Sequence, residues 1–259
     1  MASVLGWYDR AGRDLPWRRT REPYAILVSE VMAQQTQVAR VLPHYERWLA
    51  RWPTAAALAA ASPAEVLTAW VGLGYNRRAL RLREAAAIVA CEGWPRDAAG
   101  LRRLPGVGPY TAAAVASFAF GERVAAVDTN VRRVAQRIGA APMELLPQRR
   151  HADWNQAAME LGATICTARA PSCDSCPAAP WCASSGRVAV TPRAARERAQ
   201  RFEETDRWLR GRIVAALAAR EPLPAGIEPA RLERIVAGLE RDGLVERDGS
   251  GLGLPGQPR

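Results

Sequence analysis

The sequence predicts an all-α fold, and three observations carry that reading. Helical periodicity follows helical periodicity from the N-terminus to about residue 162, punctuated by proline and glycine. Strand patterns are nearly absent over the same stretch, and only the last residues, around Asp248-Gly249-Ser250-Gly251, suit a short hairpin. A chain of 259 residues, 49% of them hydrophobic, supplies apolar surface for one or two cored domains. A disordered tail and a disulfide miniprotein are thereby excluded.

The elements follow in order. A helix begins after Pro23 and runs through AILVSEVMAQQTQV, and HYERWLARW continues as another. The alanine-rich stretch from Thr54, then Ala64 to Val71 and Arg77 to Cys91, have helical spacing, the alanines reflecting propensity rather than function. Shorter helices flank a turn at Pro105 to Pro109, and longer ones fit Thr129 to Ile138 and Pro147 to Gly162. Residues 187–204 (RVAVTPRAARERAQRFEE) are arginine-rich without apolar periodicity and read either as a linker tracking a phosphate backbone or as a solvated tether. From Thr205 a helix (DRWLRGRIVAALAAR), a second helix (PARLERIVAGLERDG) and the hairpin suggest a small winged-helix-like module. The expected division is 1–186, 187–204 and 205–259.

Net charge is +10, and every basic side chain is an arginine, since the chain contains no lysine. Polyanions are therefore the first partners to consider, and lysine Schiff-base chemistry is excluded. The start MASVLGWYDR lacks the pattern of a signal peptide and no run reaches the length of a membrane span, so a soluble cytoplasmic protein is expected.

Four of the five cysteines form C-x6-C-x2-C-x5-C, namely Cys166, Cys173, Cys176 and Cys182, a loop spanning 166–182. In a reducing compartment such crowding argues for metal over disulfides, and the spacing alone admits zinc or an iron–sulfur cluster. Cys91, alone in a helical pattern, is expected as a buried core thiol. In LRRLPGVGPYTAAAV, Gly106 and Gly108 are expected to take positive φ and let backbone approach a ligand. The following helix N-terminus offers free N–H groups to a phosphate, although a plain turn has the same signature.

Two carboxylates stand out by context. Glu30 lies inside the apolar helix AILVSEVMA, where desolvation favours a protonated acid, and Asp128 stands at a helix N-cap, where N–H groups and the dipole favour an anion. An acid for a leaving group and an anion for an oxocarbenium-like centre are what cleavage of a glycosidic bond requires. Each also has a plainer reading, Asp128 as a cap and Glu30 as a surface helix residue, and nothing in the sequence brings the two together.

The segments SEVMAQQTQV, GLGYNRRA, LPGVGPYTAAAV, VDTNVRRV, MELGATIC and the four-cysteine loop, in this order over roughly residues 1–200, resemble the helix-hairpin-helix glycosylase superfamily, most closely the MutY-type adenine DNA glycosylases. The resemblance implies a two-lobed all-α core, a [4Fe–4S] cluster on the four cysteines, and excision of adenine mispaired with guanine or 8-oxoguanine. It implies a monomer acting on mispaired double-stranded DNA, nucleoid-associated and away from membranes. Carried over by position, Glu30 protonates the leaving adenine, Asp128 stabilises the sugar cation, and Asn130 and Tyr110 orient them. Tyr110 stands where the bifunctional endonuclease III relatives carry a lysine. Gln34 and Gln35 match the wedge that fills the space of a flipped base, and Tyr75 matches the residue that intercalates beside the opposite purine. Arg13, Trp17 and Glu160 line the base pocket, with core packing and a surface ion pair as the rival readings.

Two features depart from that family. Thr129 stands where its members usually carry glycine, and the roughly 55 residues after the linker are too few for the expected Nudix-like reader of 8-oxoguanine. A glycosylase acting on thymine, uracil or another purine mispair stays open, as does a non-catalytic DNA-binding regulator.

Overall fold

Described here by a computed structural model are residues 1–189, 201–249 and 251–257. The helices are α1 (Ala2–Ala11), α2 (Pro23–Ala33), α3 (Val38–Arg51), α4 (Ala55–Ala60), α5 (Pro63–Trp70), α6 (Arg77–Glu92), α7 (Ala98–Leu101), α8 (Pro109–Phe120), α9 (Thr129–Ile138), α10 (His151–Thr164), α11 (Asp206–Ala219) and α12 (Pro229–Arg241). The antiparallel pair β1 (Glu246–Asp248) and β2 (Gly251–Gly253) closes the chain, with Asp248 opposite Gly251. The fold is all-α as expected. Residues 190–200, the greater part of the arginine-rich segment, lie outside the described residues, as does Ser250 in the hairpin turn. Among the described residues no helix is long and apolar enough to cross a membrane.

Local chemistry sets the helix ends. Ser62 and Glu65 form a reciprocal capping box at α5, Thr205 accepts from the Trp208 N–H at α11, and Gly121 and Gly139 end α8 and α9 in the left-handed conformation. Three expectations need correction. α2 stops at Ala33 rather than running through the glutamines, because Gln35 takes φ 55, which an α-helix cannot contain. α10 begins at His151, four residues after Pro147, behind a left-handed Arg150. Cys91 is exposed: the buried face of α6 is Leu82, Ala85, Ala86 and Val89, and Cys91 falls off that stripe.

The chain forms two compact units, each made of two separate stretches: Met1–Glu30 with Trp94–Ala195, and Val31–Gly93 with Arg196–Arg259, over their described residues. In the first, Val4 and Leu5 of α1, Val134 and Ile138 of α9, and Trp154 and Leu161 of α10 share a core against which Cys166, Cys176 and Cys182 also pack. In the second, Leu67 of α5 is buried together with Leu209 and Ile213 of α11, Ile235 and Leu239 of α12, and Leu254 beside β2. The C-terminal helices and hairpin thus share a core with α5. Leu209→Ala, at a fully buried position, should cost about 2–5 kcal/mol. Urea denaturation measures it, and a loss under about 1 kcal/mol would mean that this core is not formed.

Candidate active site

Three elements of the first unit converge. α2 carries Glu30 in its last turn but one, α8 carries Tyr110 in its first turn, and Asp128 caps α9. Glu30 keeps partial exposure as a residue, yet the atoms packed around its carboxyl exclude water. That desolvation, with a smaller push from the nearby Asp128 charge, raises its pKa to about 7 against the opposing pull of the Tyr110 hydrogen bond and Arg18. Tyr110, whose hydroxyl also lies 3.3 Å from Met159 Sδ, is raised well above the ordinary tyrosine range by burial and then by Glu30. Asp128 has a donor on each oxygen: the Val131 N–H reaches Oδ1 at 2.7 Å and Asn130 Nδ2 reaches Oδ2 at 3.0 Å. Thr129, first residue of α9, is exposed. Tertiary structure therefore brings together the two carboxylates that the sequence left apart.

Asn130 is itself held. Its Oδ1 accepts from Arg133 Nη2 at 2.8 Å, and Arg133 also donates to the Gly162 carbonyl at 2.6 Å and the Cys166 carbonyl at 2.8 Å. Helix α10 passes so close that a Cβ on Gly162 would stand 2.6 Å from Asn130 Cβ and 3.1 Å from its Cα. Arg137, one turn on, reaches the carbonyls of Thr167 and Ala168 and lies 3.3 Å from Cys166 Sγ. Cys166, Cys173, Cys176 and Cys182 line one small cavity. Burial raises the Cys176 thiol, and the three neighbouring cysteines push the same way. Among the described residues no group of three or more histidine, cysteine or acidic side chains is placed to hold a single metal ion.

Glu160 on α10 is buried, and both its oxygens are taken: Arg13 donates twice, at 2.6 and 2.9 Å, and Arg18 once, at 2.7 Å. Burial alone would raise its pKa, but the two guanidinium partners hold it below the usual carboxylate range. The Arg13–Glu160 ion pair exists, with a buried acid rather than at the surface. Trp17 stands half-buried in the 3-10 turn Pro16–Arg18.

In the glycine turn only Gly106 takes positive φ, at 76. Gly108 departs from expectation: it has φ −84 and ψ 177, since it is the N-cap of α8 and such positions take extended backbone. No side chain of the N-cap residue caps α8 there, and Pro109 at its first position carries no N–H.

The second unit holds Gln34, Gln35 and Tyr75. Gln35 and Tyr75 are two of the four non-glycine residues at positive φ among the described residues, at 55 and 47, and both are exposed. Such backbone costs about 1–3 kcal/mol and persists only where its surroundings impose it. The agent here is Arg78 of α6, whose Nη1 donates to the carbonyls of Val31 (2.7 Å) and Gln34 (2.6 Å) and whose Nη2 donates to those of Leu73 (3.1 Å) and Gly74 (3.0 Å). Burial pushes its pKa down to about 10, so it stays charged at neutral pH while tying the glutamine turn to the Tyr75 turn. The sequence reading missed Arg18, Arg78, Arg133 and Arg137, because an arginine among so many carries no local mark of a structural role.

An all-α fold with paired carboxylates in one unit and a glycine turn ahead of α8 is the arrangement of a helix-hairpin-helix DNA glycosylase scaffold. Residues 28–153, which contain Glu30, the hairpin and Asp128, match the family described as HhH-GPD superfamily base excision DNA repair protein. An adenine DNA glycosylase of Mycolicibacterium smegmatis is 45% identical over 276 residues, covering 96% of this chain and 93% of its own. A thermostable thymine-DNA glycosylase has TM-score 0.65 at 30% identity, over 70% of this chain and 92% of that one. Endonuclease III in a trapped covalent complex with DNA gives 0.60 at 27%, over 70% and 91%. By this identity and coverage the chain belongs to the adenine DNA glycosylase family of the HhH-GPD superfamily.

Gly162→Ala tests the close approach of α9 and α10. Helix propensity favours alanine by about 1 kcal/mol, whereas overpacking costs about 1–3 kcal/mol, and a 2.6 Å contact onto Cβ and backbone lets the clash prevail. The urea midpoint should fall; a raised midpoint would mean that the helices stand further apart.

Proposed function

We propose that this protein excises adenine from mispaired double-stranded DNA, opposite guanine or 8-oxoguanine, by hydrolysing the N-glycosidic bond of a flipped nucleotide. The observation that carries the reading is the desolvated Glu30 carboxyl beside Asp128, in a chain whose relatives bear the name adenine DNA glycosylase. Glu30, whose raised pKa keeps a large share of it in the acid form at neutral pH, gives its proton to the adenine as the bond from C1′ breaks and the electron pair leaves with the base. The Asp128 carboxylate, aimed by Asn130 and the Val131 N–H, stabilises the oxocarbenium-like sugar until water adds to C1′. Tyr110 holds the Glu30 carboxyl, and the Arg13–Glu160–Arg18 cluster and Trp17 wall the base site. Gln34 and Gln35 fill the vacated stack, Tyr75 enters beside the opposite purine, and the Gly106–Gly108 turn takes the phosphate backbone. Residues 205–259 serve as a small module on duplex DNA, and the enzyme works as a monomer. With no lysine in the chain, strand nicking by a Schiff base is not expected.

The four cysteines suit a [4Fe–4S] cluster. Cys166, Cys173, Cys176 and Cys182 line one cavity, the donor set that four-thiolate ligation of such a cluster requires. Bound there, the cluster supplies covalent cross-linking of the 166–182 loop. A reading as a pyrimidine mispair glycosylase is favoured only by the likeness to a thymine-DNA glycosylase, and the mispair panel below decides it.

Under single turnover, adenine release opposite guanine and 8-oxoguanine is expected, with none of thymine or uracil. Asp128→Asn and Glu30→Gln should each lower the rate by about 100-fold or more while DNA binding survives. Activity within about tenfold of the parent in either variant would falsify the assigned role. Because the acid form of Glu30 prevails below its pKa of about 7, the rate should fall as pH rises through that value. A rate still climbing through pH 8 counts against Glu30 as the acid.

Anaerobically purified protein should be yellow-brown with about four irons per chain. Stoichiometric zinc without iron rejects the cluster.

A further inference from the structure

Beside Tyr75, the second unit presents a feature that the proposed chemistry leaves unused. The Arg207 guanidinium stacks on the Tyr75 ring, 4.1 Å from its centroid, and lies 5.8 Å from the centroid of Phe202. Both rings are exposed, Tyr75 by 41% and Phe202 by 54%. The three side chains, with Gly74, Trp208 and Arg210, line one open cleft of about 770 Å³, ample for a purine.

Arg207, like Arg40 and Arg212 of the same cleft, has no acidic partner among the described residues, and of these three it alone lies over the Tyr75 ring. Arg77 and Arg210 both pair with Asp242, and Asp206 is taken by Arg231 and Arg234. Arg207 sits in the first turn of α11, where the helix dipole disfavours a cation. Packing does not explain it either, since the residue is exposed. Arg207 lies over the Tyr75 ring and makes no hydrogen bond among the described residues, so its N–H donors are open to a purine edge, which a guanidinium reads bidentately. Tyr75, held at a strained φ by its turn, fixes where that edge must lie.

We propose that Arg207 is a specificity-determining residue that reads the edge of the purine opposite the excised adenine. This rests on the reading of Tyr75 as the residue that enters the duplex beside that purine. Guanine offers the adjacent acceptors O6 and N7 to the guanidinium, whereas 8-oxoguanine, whose N7 carries a hydrogen, offers one keto oxygen at a time. The unsubstituted purine nebularine has neither keto oxygen.

The test is binding of the full chain to duplexes carrying a tetrahydrofuran abasic analogue opposite guanine, 8-oxoguanine or nebularine. The parent should prefer the two keto purines. Arg207→Ala should weaken binding to guanine by about tenfold, to 8-oxoguanine by less and to nebularine least, erasing the preference. Arg207→Lys, which keeps the charge but not the planar fork, should restore it only in part. An unchanged urea midpoint shows that the exposed variant stays folded. An equal loss on all three duplexes with a shallower salt dependence makes Arg207 a phosphate contact and overturns the proposal. No loss on any duplex, or a parent without preference, overturns it as well. Adenine release by the parent is scored separately, so failure of the glycosylase reading shows as absent base release, whatever the binding series gives.

Discussion

Much of this structure answers to one constraint: a carboxyl deprived of water stands within electrostatic reach of a second carboxyl. The Asp128 charge adds to the desolvation that already favours the acid form of Glu30. The surroundings separate the two carboxyls by unequal donors, with Val131 N–H and Asn130 on the Asp128 oxygens and the Tyr110 hydroxyl on Glu30. Holding that asymmetry dictates the neighbourhood. α9 must begin at Asp128 so that its own N–H groups face the carboxylate, and α10 must carry glycine at 162 to let Asn130 stand where it does. Arg133 then ties Asn130 to α10 and to the start of the cysteine loop.

Arginine does this joining throughout. Arg78 gathers carbonyls from two turns, and Arg137 gathers those of Thr167 and Ala168. A guanidinium spreads five donors over a rigid plane, whereas an ammonium offers three from one point, so a chain without lysine loses nothing as a scaffold. The strained backbone at Gln35 and Tyr75 is sustained in this way: the Arg78 charge, buried at the base of both turns, leaves their side chains exposed and their backbones fixed.

The C-terminal segment shows what packing adds to a pattern along the chain. Helix, helix and hairpin were visible from Thr205 as a self-contained pattern, and all three occur in that order. Their apolar faces, however, are buried in company with Leu67 and Ala64 of α5, some 140 residues earlier. Amphipathic spacing states that a face is buried and leaves its partner unnamed. The same gap explains Cys91, which lies in a helix as read but off the stripe that its neighbours bury.

By itself the sequence determined what depends on neighbours along the chain: the helical class, the capped start at Asp128, the helix from Thr205, the Gly106 turn, the four-cysteine loop and the absence of lysine. Glu30 in an apolar helix and Asp128 at an N-cap were legible as candidates for the same reason, since periodicity and caps are properties of a few consecutive residues. Only tertiary structure decided that the two carboxylates come together, that Glu160 is a buried acid spent on Arg13 and Arg18, and that Arg78, Arg133 and Arg137 tie distant carbonyls together. Each of these joins residues tens to more than a hundred positions apart. Charge, burial and hydrogen bonding act through space, and a sequence read without its fold records only separation along the chain.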